Sequence, residues 1–197
     1  MSGENIVKPS AESIAASAQA AAKKKGHPPV HLWNPPFCGD LDMEIKRDGT
    51  WFYMGTPIGR PGLVKLFSSI IRKDGDAYFL VTPVEKVGIR VEDAPFVAQD
   101  FTVTGEGRDQ ILTFTTHVDD TATAGPDNPI RVVRDPDTGE PSPYILMRSN
   151  LEALIDRKSF YRLVDLGETH PHDGADWFGV WSSGTFFPII PAHELPE

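Results

Sequence analysis

Apolar positions along the chain change their period several times, and each change marks an element. From Pro61 onward, Leu63, Leu66, Phe67, Ile70 and Ile71 recur at i, i+3, i+4, i+7 and i+8, the stripe of a helix with one buried face. Proline suits the first helical position. Arg72 and Lys73 complement the negative end of such a helix, and Gly75 can stop it. Burying each of the five side chains contributes about 1.5–3 kcal/mol before entropy is counted, so the stripe predicts core. Elsewhere the period is two. Val87, Ile89 and Val91 alternate with polar neighbours, as do Leu112, Phe114, Thr116 and Val118, which predicts half-buried strands. Ala77 to Val81 is apolar on both faces, the mark of a strand inside a sheet. Tyr144–Met147, Phe160–Val164, Trp177–Trp181 and Phe186–Ile190 read as further short strands. A brief helix is predicted from Ser149, since Ser149 and Glu152 have the spacing of a capping box.

Punctuation between these segments sets the organisation. Asp48-Gly49 predicts a two-residue hairpin turn between Met43–Lys46 and Trp51–Met54. Pro28 to Gly39 carries Trp33, Phe37 and four prolines, which favours an extended, packed strap. Residues 119 to 129 and 135 to 143 are turn-rich loops. Ala11 to Lys25 favours helix, with Ser10 as a cap, yet Ile14 is its only sizeable apolar side chain. Residues 1–26 are therefore expected to be a frayed helix or mobile tail, with a basic amphipathic partner helix as the other reading. Two domains follow, over 27–97 and 98–197.

The two halves echo each other in the order strand, turn, strand, short helix, strand. Arg60, Leu63, Leu66 and Phe67 align with Arg148, Leu151, Leu154 and Ile155, and Tyr78, Leu80 and Val81 align with Tyr161, Leu163 and Val164. The expected fold is α+β, with two related halves, each a mostly antiparallel sheet with one short helix. In this reading both arginines precede a helix, where the positive end of the dipole disfavours a cation. A compensating anion is called for. It is either a carboxylate of the protein, with Glu85, Glu92 and Asp93 in the same half as Arg60, or a bound anionic ligand held by guanidinium groups and the Gly55–Gly62 backbone.

Charge and composition narrow the partners. With 28 acidic against 19 basic residues, the net charge of -9 repels phosphate backbones and anionic lipid, so neither nucleic acid nor membrane is expected as a partner. Cys38 stands alone and cannot form an intramolecular disulfide. No apolar run approaches the roughly 20 residues that span a bilayer. Lys23, Lys24 and Lys25 follow the Ala-rich stretch rather than precede it, unlike a signal peptide. A cytoplasmic location is expected.

Chemical motifs are sparse. Gly55-Thr-Pro-Ile-Gly59-Arg-Pro-Gly62 lacks the Gly-Lys-Ser/Thr ending of a P-loop, and its prolines remove backbone donors. There is no Gly-x-Ser-x-Gly elbow, and no visible base accompanies Cys38, which reads as a small buried thiol. His170, His172, Asp173 and Asp176 have the donor types of a metal site but equally those of an exposed turn. No metal or cofactor is assigned. The run from Thr82 to Phe96 crowds Glu85, Lys86, Arg90, Glu92 and Asp93 around an apolar strand. It is either a salt-bridged strand edge or one wall of a polar cleft.

Six short motifs carry a family resemblance. Trp33-x-Pro35, Cys38-Gly39, Asp48-Gly49-x-Trp51, Gly55-x-Pro57-Ile58-x-Arg60, Leu80-Val-Thr-Pro-Val-Glu-Lys86 and Glu92-Asp-Ala-Pro-Phe96 resemble the bacterial family of unknown function DUF1285, from about Trp33 to Pro188. The resemblance implies a duplicated core, a C-terminal half like a pleckstrin-homology fold, a ligand site at the interface between domains, and a role in signal transduction. It brings no enzyme activity or cofactor, and a shared fold leaves the function open. The expected function is a non-enzymatic binding or regulatory module for a small molecule or peptide. Its candidate ligand residues are Arg60, Arg148, Glu85, Lys86, Glu92, Asp93 and Trp33. The rival readings are a protein-interaction domain using exposed Trp33, Trp177 or Trp181, and a hydrolase using carboxylates or a metal at His170 and His172.

Overall fold

Sheets form wherever the sequence alternates. The computed structural model, which describes residues 8–22 and 25–197, separates into two units, Met1–Asp93 and Ala94–Glu197.

Unit 1 begins with helix α1 (Ala11–Ala21), followed by strands β1 (Phe37–Ile45), β2 (Trp51–Tyr53) and β3 (Thr56–Pro57). Helix α2 (Pro61–Ser68) leads to strands β4 (Ile71–Asp74), β5 (Ala77–Val81) and β6 (Lys86–Val91). The sheet runs β3-β2-β1-β6-β5-β4, and its central β1–β6 pair is the parallel one. The turn at Asp48-Gly49 is corrected to three residues. Lys46 and Thr50 bond across Arg47–Gly49 (2.9 Å), and Gly49 takes φ 89°, the positive-φ position of a three-residue hairpin loop.

The long helix predicted over Leu63–Ile71 is also corrected. Helix α2 stops at Ser68, where the Ser68 and Ser69 hydroxyls donate to the Lys65 and Leu66 carbonyls (2.7 and 2.6 Å). β-branched Ile70 and Ile71 then leave the helix, and Ile71 opens a strand, as β-branched side chains prefer. Gly75, at φ 60°, is the first central residue of the two-residue β4–β5 turn rather than a helix stop. Phe67, Ile70 and Ile71 are nonetheless fully buried, and Phe67 stacks on buried Trp51 at 6.1 Å.

The N-terminal helix has more to bury than the sequence suggested, which corrects the frayed-helix reading. Ser10 caps it in a reciprocal box with Ser13. Ile14 is wholly buried, as are Ala11 and Ala18, and the Ala11 N–H donates to the Tyr53 hydroxyl (3.3 Å). Small alanines let the helix approach α2 closely, so one large side chain is enough. Residues 1–7, Lys23 and Lys24 lie outside the described residues.

Unit 2 contains β7 (Phe96–Thr104), β8 (Ile111–Thr116), β9 (Thr121–Thr123), β10 (Ile130–Arg134), β11 (Pro141–Arg148) and β12 (Leu151–Ile155). Helix α3 (Arg157–Asp165) precedes a three-stranded sheet of β13 (Glu168–His172), β14 (Ala175–Ser182) and β15 (Thr185–Pro191). The six-stranded sheet runs β10-β11-β12-β7-β8-β9, again with its central pair, β12–β7, parallel. Each six-stranded sheet is therefore two three-strand meanders joined so that the last strand lies parallel to the first. The repeat is real at this level, but its alignment differs from the one read in the sequence. Leu151–Ile155 is a strand, not a helix, because Ser149 at φ 50° begins a tight turn that returns the chain along β11. Phe160–Val164 is helical, not extended: Phe160, Leu163 and Val164 keep helical spacing, and Asp156 caps the Ser159 N–H (2.8 Å). Two stretches read as loops also contain strand: β9 lies within 119–129, and β11 starts at Pro141. The loop in unit 2 that corresponds to α2 is only residues 124–129.

A buried hydroxyl helps to anchor the three-stranded sheet. Ser182 accepts from the Leu112 N–H (2.9 Å) and donates to the Ala124 carbonyl (2.7 Å). It is fully buried, and it satisfies two backbone groups that the neighbouring strands leave open.

Candidate functional site

Arg60 is the N-cap of α2, in extended conformation, and its side chain makes no capping bond. With proline at the first helical position, the next backbone donor is the N–H of Gly62. Arg60, Gly62, Leu63, Leu66 and Gln19 of α1 line a groove of about 420 Å³. Leu63 and Leu66 are half-buried here, which is why the apolar stripe of α2 is not entirely core. The other nine arginines each make an ion pair with a carboxylate. Among the described residues Arg60 has none. Gln19, which belongs to the segment read as tail, was missed as a groove residue because nothing in its local sequence signals packing against α2.

The other sequence-predicted residues of unit 1 fall into two clusters of internal bonds. In the first, Arg72 donates to the carbonyls of Val30 (3.0 Å) and Trp33 (2.8 Å), fastening the proline-rich strap to β4. The same guanidinium pairs with Asp74 (3.1 Å), which also accepts from Lys86 (2.9 Å). Lys86 lies 4.1 Å from the centre of the Phe79 ring. Burial disfavours the charge on Asp74, but the hydrogen bonds from Lys86 and Arg72 prevail and hold its carboxyl below the usual range. Trp33 thus takes part through its carbonyl.

In the second cluster, Glu92 accepts from the Arg47 N–H (2.7 Å) and Asp93 pairs with the Arg47 guanidinium (2.8 Å). Arg90 pairs with Asp42 at 2.8 Å. The run from Thr82 to Phe96 is therefore not a sheet edge, since β6 is paired on both sides; its charges are bonded within unit 1. Glu85 closes the turn after β5, where its N–H donates to the Thr82 hydroxyl (3.1 Å) and one of its carboxylate oxygens is enclosed without a hydrogen bond. Cys38 is half-buried and donates its thiol to the Pro36 carbonyl (3.3 Å).

Arg148, in unit 2, ends strand β11 rather than preceding a helix, so the helix-dipole argument does not apply to it. Its guanidinium pairs with Asp120 and lies 4.9 Å from the Phe96 ring. Both charged side chains are less than a fifth exposed. Burial pushes the arginine below its ordinary range, and the Asp120 carboxylate opposes that shift. The compensating anion is a carboxylate of the protein itself. Asp120 sits 28 residues away, and no sequence signal links the two.

His170 and His172 share a face of β13 and pack on aromatic rings. His170 lies 4.8 Å from Trp181 and 5.1 Å from Phe186, while His172 lies 5.8 Å from Phe186. Among the described residues no three His, Cys, Asp or Glu side chains gather as metal donors would. Trp181 donates to Glu168 (2.9 Å) and stands beside the Arg108 guanidinium. Trp33, Trp177 and Trp181 are all half-buried. No described helix is long and apolar enough to cross a membrane.

A family model described as the N-terminal domain of DUF1285, a domain of unknown function, matches residues 28–94. A second, for the C-terminal domain of the same proteins of unknown function, matches residues 95–189. The chain belongs to the DUF1285 family. It is similar to the crystal structure of a DUF1285 family protein from Silicibacter pomeroyi DSS-3, with 65% identity over 92% of this chain and 96% of that one and a TM-score of 0.83. A DUF1285 family protein from Shewanella baltica OS155 matches at 28% identity over 64% of this chain and 91% of that one, with a TM-score of 0.49. No curated protein matches. Membership in DUF1285 thus supplies an architecture and leaves the activity to be argued from side chains.

Proposed function

We propose that this DUF1285 protein is a binding module for a small anionic ligand, seated in the unit 1 groove and held by Arg60. One observation carries the reading: nine of ten arginines spend their charge on a carboxylate of the chain, and among the described residues Arg60 has no such partner. An overall charge of -9 makes an unpaired guanidinium in an apolar-floored groove conspicuous. The planar fork of arginine suits carboxylate or phosphate groups, and the α2 N-terminus adds a weaker favourable field. Leu63 and Leu66 would contact the ligand's apolar part. Lys86, Glu92, Asp93 and Arg148, already engaged internally, serve as scaffold. Binding that ties α1 to α2 would give the module a regulatory output of the kind the family resemblance implies.

Thermal unfolding in the presence of phosphate monoesters and of mono- and dicarboxylates tests the reading. At least one class should raise the midpoint of the wild-type protein and fail to raise that of Arg60→Ala. Equal shifts in both proteins would remove Arg60 from the site.

A further inference from the structure

Unit 2 holds a second, chemically different cavity. It measures about 170 Å³ and is walled by Pro141 of β11, Phe160 and Val164 of α3, Phe178 of β14, Ile189 of β15, and Leu195. The pocket is open on one side, most of its wall residues being only half-buried, and its volume compares with the apolar cavity of about 150 Å³ that takes a benzene ring. The one charged side chain on its wall is Arg134, at the end of β10. Its Nε faces the Gly139 carbonyl (3.4 Å), and its Nη1 pairs with Glu194 (2.5 Å). Glu194 closes a single 3-10 turn, Ala192–Glu194, and the next residue, Leu195, is more than a third exposed while its side chain contributes to the cavity wall.

This places an apolar chamber of one-ring size beside a guanidinium that already carries a carboxylate. The neighbouring pair Glu194-Leu195 offers the two things a ligand would need: a carboxylate on the arginine and an apolar group against the chamber. We infer that the chamber binds a small monocarboxylic acid with an aromatic or short branched body. The acid's carboxylate replaces Glu194 on Arg134, and the C-terminal turn acts as the built-in competitor. Both side chains of the Arg134–Glu194 pair are more than a third exposed, so their bond is weak enough to exchange. The acid gains burial of its ring, which a bare anion lacks. This inference is independent of Arg60, since every residue it uses lies between 134 and 195.

Benzoate and the isosteric neutral benzamide are suitable probes, titrated into the full chain and followed by ligand-observed NMR. The wild type should bind benzoate in preference to benzamide. Glu194→Gln removes the competing charge and should tighten benzoate about two- to fivefold, the scale of an exposed ion pair. Arg134→Gln should reduce benzoate to the level of benzamide. Arg60→Ala should leave benzoate binding unchanged, so the two proposals fail separately. Unfolding midpoints near the wild type would confirm that Glu194→Gln and Arg134→Gln stay folded, as their exposure predicts. The inference is overturned if benzoate and benzamide bind equally, if neither binds the wild type or Glu194→Gln, or if Arg134→Gln retains the preference for the acid.

Discussion

The two six-stranded sheets share one strand order yet solve the same covering problem differently. In unit 1 the link between the two meanders is a helix, α2, whose Phe67 is fully buried against Trp51. In unit 2 the corresponding link is a short loop, and a later hairpin sheet is secured to the meander strands through Ser182. The difference extends to the arginines that the sequence put in parallel. Arg148 is a mostly buried cation neutralised by Asp120, whereas Arg60 stands at the N-cap of the linking helix with no carboxylate partner among the described residues. A shared topology therefore does not imply a shared site. The inserted helix supplies Gly62, Leu63 and Leu66 to the groove, where unit 2 has only a short loop.

Substitutions should separate these solutions by size of effect. Phe67→Ala should be the most damaging, at about 3–5 kcal/mol, because it empties a closed aromatic contact; denaturant unfolding followed by tryptophan fluorescence measures it. Arg148→Ala strips the mostly buried Asp120 of its arginine and should cost about 3 kcal/mol, whereas Arg60→Ala should stay within about 0.5 kcal/mol of wild type. Equal losses for the two arginines would erase the distinction. Ser182→Ala orphans one N–H and one carbonyl and should cost about 1–3 kcal/mol, with earlier loss of amide protection at Leu112. Acid is the mildest probe. The folded Asp74 carboxyl titrates below its unfolded value, so its contribution is complete above the ordinary carboxylate pKa of about 3.9 and is lost as pH falls through the depressed folded value. Asp74→Asn should flatten that part of the stability–pH profile.

Much of this architecture was legible in the letters. The alternating strands at Val87–Val91 and Leu112–Thr116, the hairpin at Gly49 and the buried face of α2 all follow from local period and turn chemistry. The failures share a cause. Ile70–Ile71 and Leu151–Ile155 are short apolar runs whose spacing fits either helix or strand, and tertiary partners decided between them. Ser149, in a positive-φ turn, looks like a helix cap because serine serves both roles. The repeat was read from matching side chains, but it is preserved in strand order, which tolerates a helix in one copy and a loop in the other. Of the candidate site, Arg60 was visible as an oddity. Its lack of an ion pair, the partnering of Arg148 by Asp120 and the seating of Gln19 beside α2 depend on contacts between distant segments.

Arginine side-chain NMR gives the most direct test. In a 15N-edited spectrum resolving the Nε–H signals of the ten arginines, titration with inorganic phosphate at low salt should move the Arg60 resonance, saturably, and leave Arg148 in place. Movement of Arg148 with Arg60 unmoved, or no saturable change in either, would contradict the claim that the unpaired guanidinium on the linking helix is the anion site.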